Sequence, residues 1–413
     1  MRGVSRRWRL GRNDSLTRLT PRLRGRAWFE PNARNVHTQQ LPTFKVERFW
    51  GWDACEKSLS SSECEPFTMQ QLLSLASEEE LEHWNGLNLG YSNQSGAPLL
   101  RDLVAKRYVS DVSSSDITIC APQEGIYITL LALLEAQDTC VVTTPCYQSL
   151  KSIPASIGCN VVEWKARRNT ADSCWEFIVD ELEDLIAVQP DIKLVVANFP
   201  NNPTGALPTA AEMDRITSLC RKHNIWLFVD EMYRGLEHDA SDRLAAACES
   251  YEKGISLGGL SKTFGLPGLR IGWIATRHHE LTSRIRELKD YTTICASSPS
   301  EALAIIALGH STTLESRCKD IVLSGVDTVR AFVEDAHPEV LSWLRPKGGT
   351  FSLVELQAHS LLPASTYCDK IIREHKLMLL PGSLFDLPDS SVRICYGHQD
   401  IQQRLEQWST LLP

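Results

Sequence analysis

Ser261-Lys262-Thr263-Phe264-Gly265-Leu266-Pro267-Gly268-Leu269-Arg270 places a lysine between an apolar, strand-like run, Ile255 to Leu260, and a turn rich in glycine and proline. Arg270 opens a second apolar run, Ile271-Gly272-Trp273-Ile274-Ala275. A solubilising charge has little reason to stand there, because buried surroundings exclude a long charged side chain unless it is paired. Two cations hemmed in by such segments point to an anionic cofactor, with the Lys262 amine placed for imine chemistry.

Working outward from this stretch, short apolar and β-branched runs at Asp116 to Cys120, Thr139 to Thr144, Asn160 to Trp164, Leu194 to Phe199 and Ile225 to Val229 predict strands. Gly254 to Leu260 and Leu269 to Thr276 continue the series. Helical patterns lie between them at Gln123 to Glu135, Ile178 to Val188 and Ala210 to His223. Strands alternating with helices predict an α/β fold whose mostly parallel sheet is flanked by helices on both faces. Upstream, Thr68 to Glu82 and Leu99 to Tyr108 read as amphipathic helices. After Ser300 come longer helices (Glu301 to His310, Leu314 to Ala336) and strands near Thr350 to Glu355 and Ser391 to Tyr396. The expected organisation is a basic leader at 1–40, an N-terminal segment at 41–87 that joins the smaller domain, a large domain at 88–300 and a smaller α+β domain completed by 301–413.

Composition narrows the class. The chain has 413 residues, 43% of them hydrophobic and 23% charged, as in globular proteins, and no apolar stretch long enough to span a bilayer. Its net charge of −8 argues against nucleic acid as a partner. Nine of the arginines fall within residues 1–29 beside a single acid, Asp14. That leader has the composition of a mitochondrial transit peptide, and equally of a basic tail or an extension from a misassigned start. A cytoplasmic location is expected, with a mitochondrial one as the alternative. The thirteen cysteines form no C-x-x-C pair, which reads as reduced thiols and no metal site.

In open parallel sheets ligands sit beyond the carboxyl ends of the strands, and polar residues gather there in this sequence. Phe199-Pro200-Asn201-Asn202-Pro203-Thr204-Gly205 follows one strand and offers the Asn202 amide, although the same residues make an ordinary turn. Asp230, in Phe228-Val229-Asp230-Glu231-Met232-Tyr233, is a carboxylate at the rim of an apolar sheet; it needs a partner, or it serves as a helix cap. Tyr233 points to the same region. Ala121-Pro122-Gln123-Glu124-Gly125 joins a strand to a helix whose free N–H groups suit a phosphate. Pro122 lacks one such donor, which leaves Gln123 and Glu124 as the contacts. Tyr147 follows another strand and either stacks on a planar ligand or packs in the core. The glycine spacing of a P-loop is absent before Lys262-Thr263, and neither G-x-S-x-G nor G-x-G-x-x-G occurs.

Asn202-Pro203-Thr204-Gly205, Asp230-Glu231-Met232-Tyr233, Ser261-Lys262 through Gly268-Leu269-Arg270, and Val392-Arg393-Ile394 together resemble the class I/II aminotransferases, which are fold-type-I pyridoxal-phosphate enzymes. The resemblance covers residues 41–413. It implies pyridoxal 5'-phosphate carried on Lys262 as a Schiff base, with the freed amine acting as base and acid for a 1,3-proton shift. Asp230 would hold the pyridinium nitrogen, Asn202 and Tyr233 the phenolate oxygen, and Tyr147 the ring face. Arg270, Ser261 and the amides near Gln123 and Glu124 would take the phosphate. Tyr91 would reach the phosphate of a second subunit in a homodimer, and Arg393 would bind the substrate α-carboxylate.

Three departures from the family pattern stand out. Gly259 occupies a position where many relatives carry a phosphate-binding serine, and Ala121-Pro122 replaces a glycine-containing pair. Ser60-Ser61-Ser62-Glu63-Cys64-Glu65-Pro66 replaces the commoner Gly-Glu-Pro and resembles a divergent branch with capreomycidine-synthase-like and arginine-oxidising members. Glu63 or Glu65 is then available for a cationic side chain; the plainer reading, favoured on the residues alone, is a helix-capping box before Phe67 and Met69. The resemblance implies transfer of an amino group from an α-amino acid to a 2-oxo acid. A lyase, cyclase or oxidase reaction on the same cofactor is the alternative, and a non-catalytic binding module is disfavoured because every charged residue of the set is present.

Overall fold

Seven runs of β-branched and aliphatic residues pair into one sheet: β1 (Ile117–Cys120), β2 (Thr139–Thr144), β3 (Asn160–Lys165), β4 (Ile192–Asn198), β5 (Trp226–Asp230), β6 (Gly254–Gly259) and β7 (Gly272–Ala275). Their spatial order is β1-β7-β6-β5-β4-β2-β3, and every pairing is parallel except those of β7. This computed structural model describes residues 41–49, 55–109, 111–357 and 363–412, all within the compact unit His37–Pro413. The leader anticipated at 1–40 lies outside the described residues.

The strands are apolar on both faces because both faces are covered. Cys140, Val142, Leu194, Val196, Phe228 and Leu257 pack with Ile126, Leu130, Leu150 and Ile285, from helices Pro122–Leu133, Gln148–Ile157 and His279–Lys289. The alternate residues Val141, Val195, Leu227 and Val229 pack with Leu182, Ile186, Ile216 and Leu219, from helices Val179–Val188 and Ala210–Lys222. The two-residue period of a strand thus divides one apolar run between two cores. The expected strand and helix series is present, with the last strand of the series running against its neighbours.

Two expected helices differ in detail. Thr68 to Glu82 is not one helix but two, Met69–Leu73 and Glu78–Asn85, each begun by its own capping box. Ser77 Oγ accepts from the Glu80 N–H (3.2 Å) while the Glu80 carboxylate accepts from the Ser77 N–H (2.8 Å), and this reciprocal pair restarts the chain as a new helix. The stretch Leu314 to Ala336 is an α-helix, Ser311–Arg330, continued by a π-helical turn, Ala331–Ala336.

A second, antiparallel sheet carries the remaining site residue. It orders β8 (Leu341–Trp343), β9 (Phe351–Leu356), β11 (Ser391–Cys395) and β10 (Leu380–Pro381) as β8-β9-β11-β10. Tyr396 anchors the end of β11: its hydroxyl donates to the Phe351 carbonyl (2.8 Å) and its N–H to the Thr350 carbonyl (2.9 Å). The long helix Ser311–Arg330 approaches this point through Gly325, where a Cβ would lie 2.0 Å from the Tyr396 carbonyl oxygen. An alanine in a helix interior ordinarily gains about 1 kcal/mol over glycine. Here the collision is with backbone, and overpacking of this kind costs about 1–3 kcal/mol. Gly325→Ala is therefore expected to lower the urea midpoint of unfolding; a raised midpoint would show that the helix stands farther from β11 than described.

Candidate active site

The carboxyl ends of β1, β2, β4, β5 and β6 converge on one cavity of about 210 Å3. Gln123, Tyr147, Asn202, Asp230, Tyr233, Ser261, Lys262 and Arg270 all line it, as do Glu47 and Ser62. The register explains part of this gathering, since Asn198 at the end of β4 lies opposite Asp230 at the end of β5. Asn198 Nδ2 donates to the Asp230 carbonyl (3.0 Å), and its Oδ1 accepts from the Asn202 N–H (2.7 Å), so one side chain fixes both neighbours.

Burial pushes the two central ionisable groups toward neutrality. Asp230 is raised to about 7 by burial, against the opposing pull of the Met232 N–H (3.1 Å) and the Lys262 charge. Burial likewise lowers the Lys262 amine; Glu63 opposes that shift and Arg393 adds to it. Lys262 Nζ donates to Ser62 Oγ (2.6 Å) and stands 5.9 Å from the centre of the Tyr233 ring. The Tyr233 hydroxyl donates to the Ser62 carbonyl (3.3 Å), and Thr350 Oγ1 donates to the same oxygen (2.9 Å).

Arg393, on β11, is 3% exposed. Its Nη1 donates to Asn202 Oδ1 (3.1 Å), its Nη2 to the Ser60 carbonyl, and its Nε has no partner. Phe351 and Phe385 each lie 5.1 Å from the guanidinium carbon. Each terminal nitrogen has one partner and Nε has none, so of the five N–H donors some remain for an anion.

Two of the anticipated residues do not line this chain's cavity. Glu124 does not line the cavity; its carboxylate accepts from Lys289 Nζ (3.2 Å to each oxygen) and from Thr293 Oγ1 (2.7 Å). Tyr91 is 91% exposed and lies outside its own chain's cavity. Arg270 is in place, with its backbone in the left-handed region (φ 56°) and its guanidinium donating to the Pro267 carbonyl (3.0 Å). The segment Ser60 to Pro66 forms no capping box, because Thr68 and Gln71 cap the helix that follows. Instead it runs past the cavity: Ser60 Oγ accepts from the Leu380 N–H (2.9 Å), Ser61 Oγ meets His398 Nε2 (2.9 Å), and Glu65 pairs with Arg317 (3.3 Å). Glu47 and Ser62 escaped the sequence reading because they lie far along the chain from every strand end. Only the odd serine run hinted at the second.

The Aminotransferase class I and II family matches residues 58–404. The chain belongs to that family. It is 28% identical over 307 residues to capreomycidine synthase of Streptomyces vinaceus, covering 71% of this chain and 73% of that one. A PLP-dependent aminotransferase from Streptococcus suis superposes with a TM-score of 0.83 at 26% identity, over 90% of this chain and 98% of that one. The PLP-dependent cyclase OrfR gives 0.80 at 26% identity, over 91% and 97%. The fold is that of the fold-type-I enzymes, and the cofactor is pyridoxal phosphate. The residues fit that group: Ser261 Oγ, a hydroxyl able to donate to a phosphate, is buried in the cavity wall without a partner, and Asp230 presents a buried carboxyl. No metal-binding cluster and no helix able to cross a membrane occur among the described residues.

The Asp230 shift has a measurable sign. Folding raises this acid above its unfolded value, so between about pH 4 and pH 7 the folded state keeps a proton that the unfolded chain has lost. The Asp230 contribution to stability therefore falls as pH rises through that window. In cofactor-free protein, Asp230→Asn should match wild type near pH 4 and exceed it increasingly toward pH 8, measured by urea unfolding. A difference that stays constant across the range would mean that Asp230 ionises at its ordinary value.

Proposed function

We propose that the enzyme is an aminotransferase that moves the amino group of an α-amino acid to a 2-oxo acid. The observation that carries this reading is the pairing, in one buried site, of a lysine with a lowered proton affinity and an arginine that keeps donors in reserve. Pyridoxal phosphate, when bound, withdraws electrons from the substrate Cα and makes its proton acidic. Asp230 would keep the ring nitrogen charged, which a buried carboxylate does well because it gains its counter-charge in the same contact. Arg393 would bind the α-carboxylate with its free donors. The Lys262 amine, neutral more readily here than in water, would take the Cα proton and return it at the carbon on the far side of the amino nitrogen, a 1,3-shift.

Tyr91 would complete the phosphate site of a second copy, making the enzyme a homodimer. Its own exposure, with that of Leu89 (79%) and Tyr291 (89%), supports a covered face. Light scattering should then give a mass near twice 46.3 kDa; a monomer carrying full activity would overturn the shared site.

A second reading, cyclisation or elimination on the same cofactor, draws on the Ser60 to Pro66 segment. That segment sets a hydroxyl on the Lys262 amine, and capreomycidine synthase and OrfR are among the similar proteins. A half-reaction screen of amino acids distinguishes the two. Transamination converts the visible cofactor band to the pyridoxamine form and releases the matching 2-oxo acid; ammonia release or a cyclised product without the pyridoxamine form selects the second reading. Lys262→Ala should abolish turnover under either. Arg393→Lys gives up a charge-assisted, forked contact worth about 1.5–3 kcal/mol. It should cost roughly ten- to a hundredfold in kcat/KM, and an unchanged value would remove Arg393 from the carboxylate site.

A further inference from the structure

The helix Pro122–Leu133 begins at the cavity wall, where Pro122, Gln123 and Ile126 face the ligand space. Its first free N–H groups and positive dipole end favour an anion. Glu124, in the same first turn, brings a carboxylate to that end, and the charge of a carboxylate works against a bound phosphate. Directly behind it lies Lys289, which is 0% exposed. Its Nζ contacts both Glu124 oxygens at 3.2 Å and also donates to Thr293 Oγ1. Thr292 Oγ1 donates to the same carboxylate, and Glu124 Oε2 accepts from the Ala121 N–H (3.2 Å), which ties the pair to the turn before the helix.

We propose that the buried Lys289–Glu124 pair is a positioning device for the cofactor phosphate, in which Lys289 cancels the Glu124 charge at the end of helix Pro122–Leu133. A fully buried lysine is costly unless it neutralises something, and the Glu124 carboxylate uses both oxygens, Oε2 on the Ala121 N–H and Oε1 on Thr292 and Thr293, where glutamine would offer a single acceptor. Retention of both charges leaves the carboxylate to organise Ala121, Thr292 and Thr293 while the helix end stays electropositive. Burial would raise the Glu124 carboxyl, but its hydrogen bonds and Lys289 outweigh that and hold it below its ordinary range, so the carboxylate keeps its charge at neutral pH. The device serves cofactor binding whichever reaction follows, so it stands apart from the choice between transamination and cyclisation.

The test is a titration of the full-length, cofactor-stripped protein with pyridoxal 5'-phosphate, followed by its visible band, and with inorganic phosphate, followed by calorimetry. Lys289→Met exposes the anion to an uncancelled carboxylate and should weaken both affinities roughly ten- to a hundredfold. Glu124→Gln leaves the lysine charge uncancelled and should strengthen phosphate binding severalfold. The double variant should return to within about threefold of wild type. Opposite signs for the two single variants are the signature of charge cancellation, because a purely structural pair would weaken binding in both. If Lys289→Met does not fold, Glu124→Gln decides alone: tighter phosphate binding supports the proposal, and unchanged or weaker binding overturns it.

Discussion

A guanidinium group buried where three chain segments meet must have its N–H donors occupied or aimed at an incoming anion, and Arg393 meets that demand by joining all three. It rises from β11 of the smaller sheet, binds Asn202 after β4 of the large sheet, and binds the carbonyl of Ser60 in the N-terminal segment. Ser60 answers through its hydroxyl, which donates to the Arg393 carbonyl and accepts from Leu380. Each partner comes from a different part of the chain, so none can shift without exposing a buried donor or acceptor to an unmade hydrogen bond. In the proposed roles, the position of the substrate anion would in this way be linked to that of the cofactor ring through Asn202.

The charges around this hub are arranged to remain incomplete in the protein alone. Asp230 and Lys262 are displaced in opposite directions along the pH scale, yet both displacements favour the neutral form, because both groups are buried. Ser261 leaves its hydroxyl unpaired in the same wall, a donor available to an anion. A cavity with this pattern stores a preference for a ligand that supplies a cation at one end and a phosphate at the other. The site is pre-organised by what it lacks, which is the economical arrangement when binding must complete the electrostatics.

What could be read from the sequence follows the distance over which each interaction acts. Strand ends are local: an apolar run followed by Asp230, by Asn202 or by Ser261-Lys262 announces both the sheet and the residues at its rim, because sheet geometry brings consecutive strand ends together. Arg393 became legible only through its resemblance to a family, since nothing near it in the chain says that it lies beside Asn202. Glu47 and the Lys289 partner of Glu124 were invisible for the same reason, and Ser62 was marked only by its unusual serine run, as all three depend on contacts across long separations. The two capping boxes within Thr68 to Glu82 are local and could have been read. The apolar period running through both helices masked the Ser77 restart.

The division of labour within the fold explains why the family is plain while the reaction is open. The cofactor set sits on short connections of the large sheet, where a displaced residue would disturb paired strands on either side. The segment from Ser60 to Pro66 belongs to neither sheet and touches the site through Ser60 and Ser62, at Arg393 and Lys262 respectively. The same segment meets Tyr233 through the Ser62 carbonyl, so its course bears on the lysine, the arginine and the tyrosine at once. Such a segment is where related enzymes can share Lys262 and Asp230 chemistry and still send the substrate to different products.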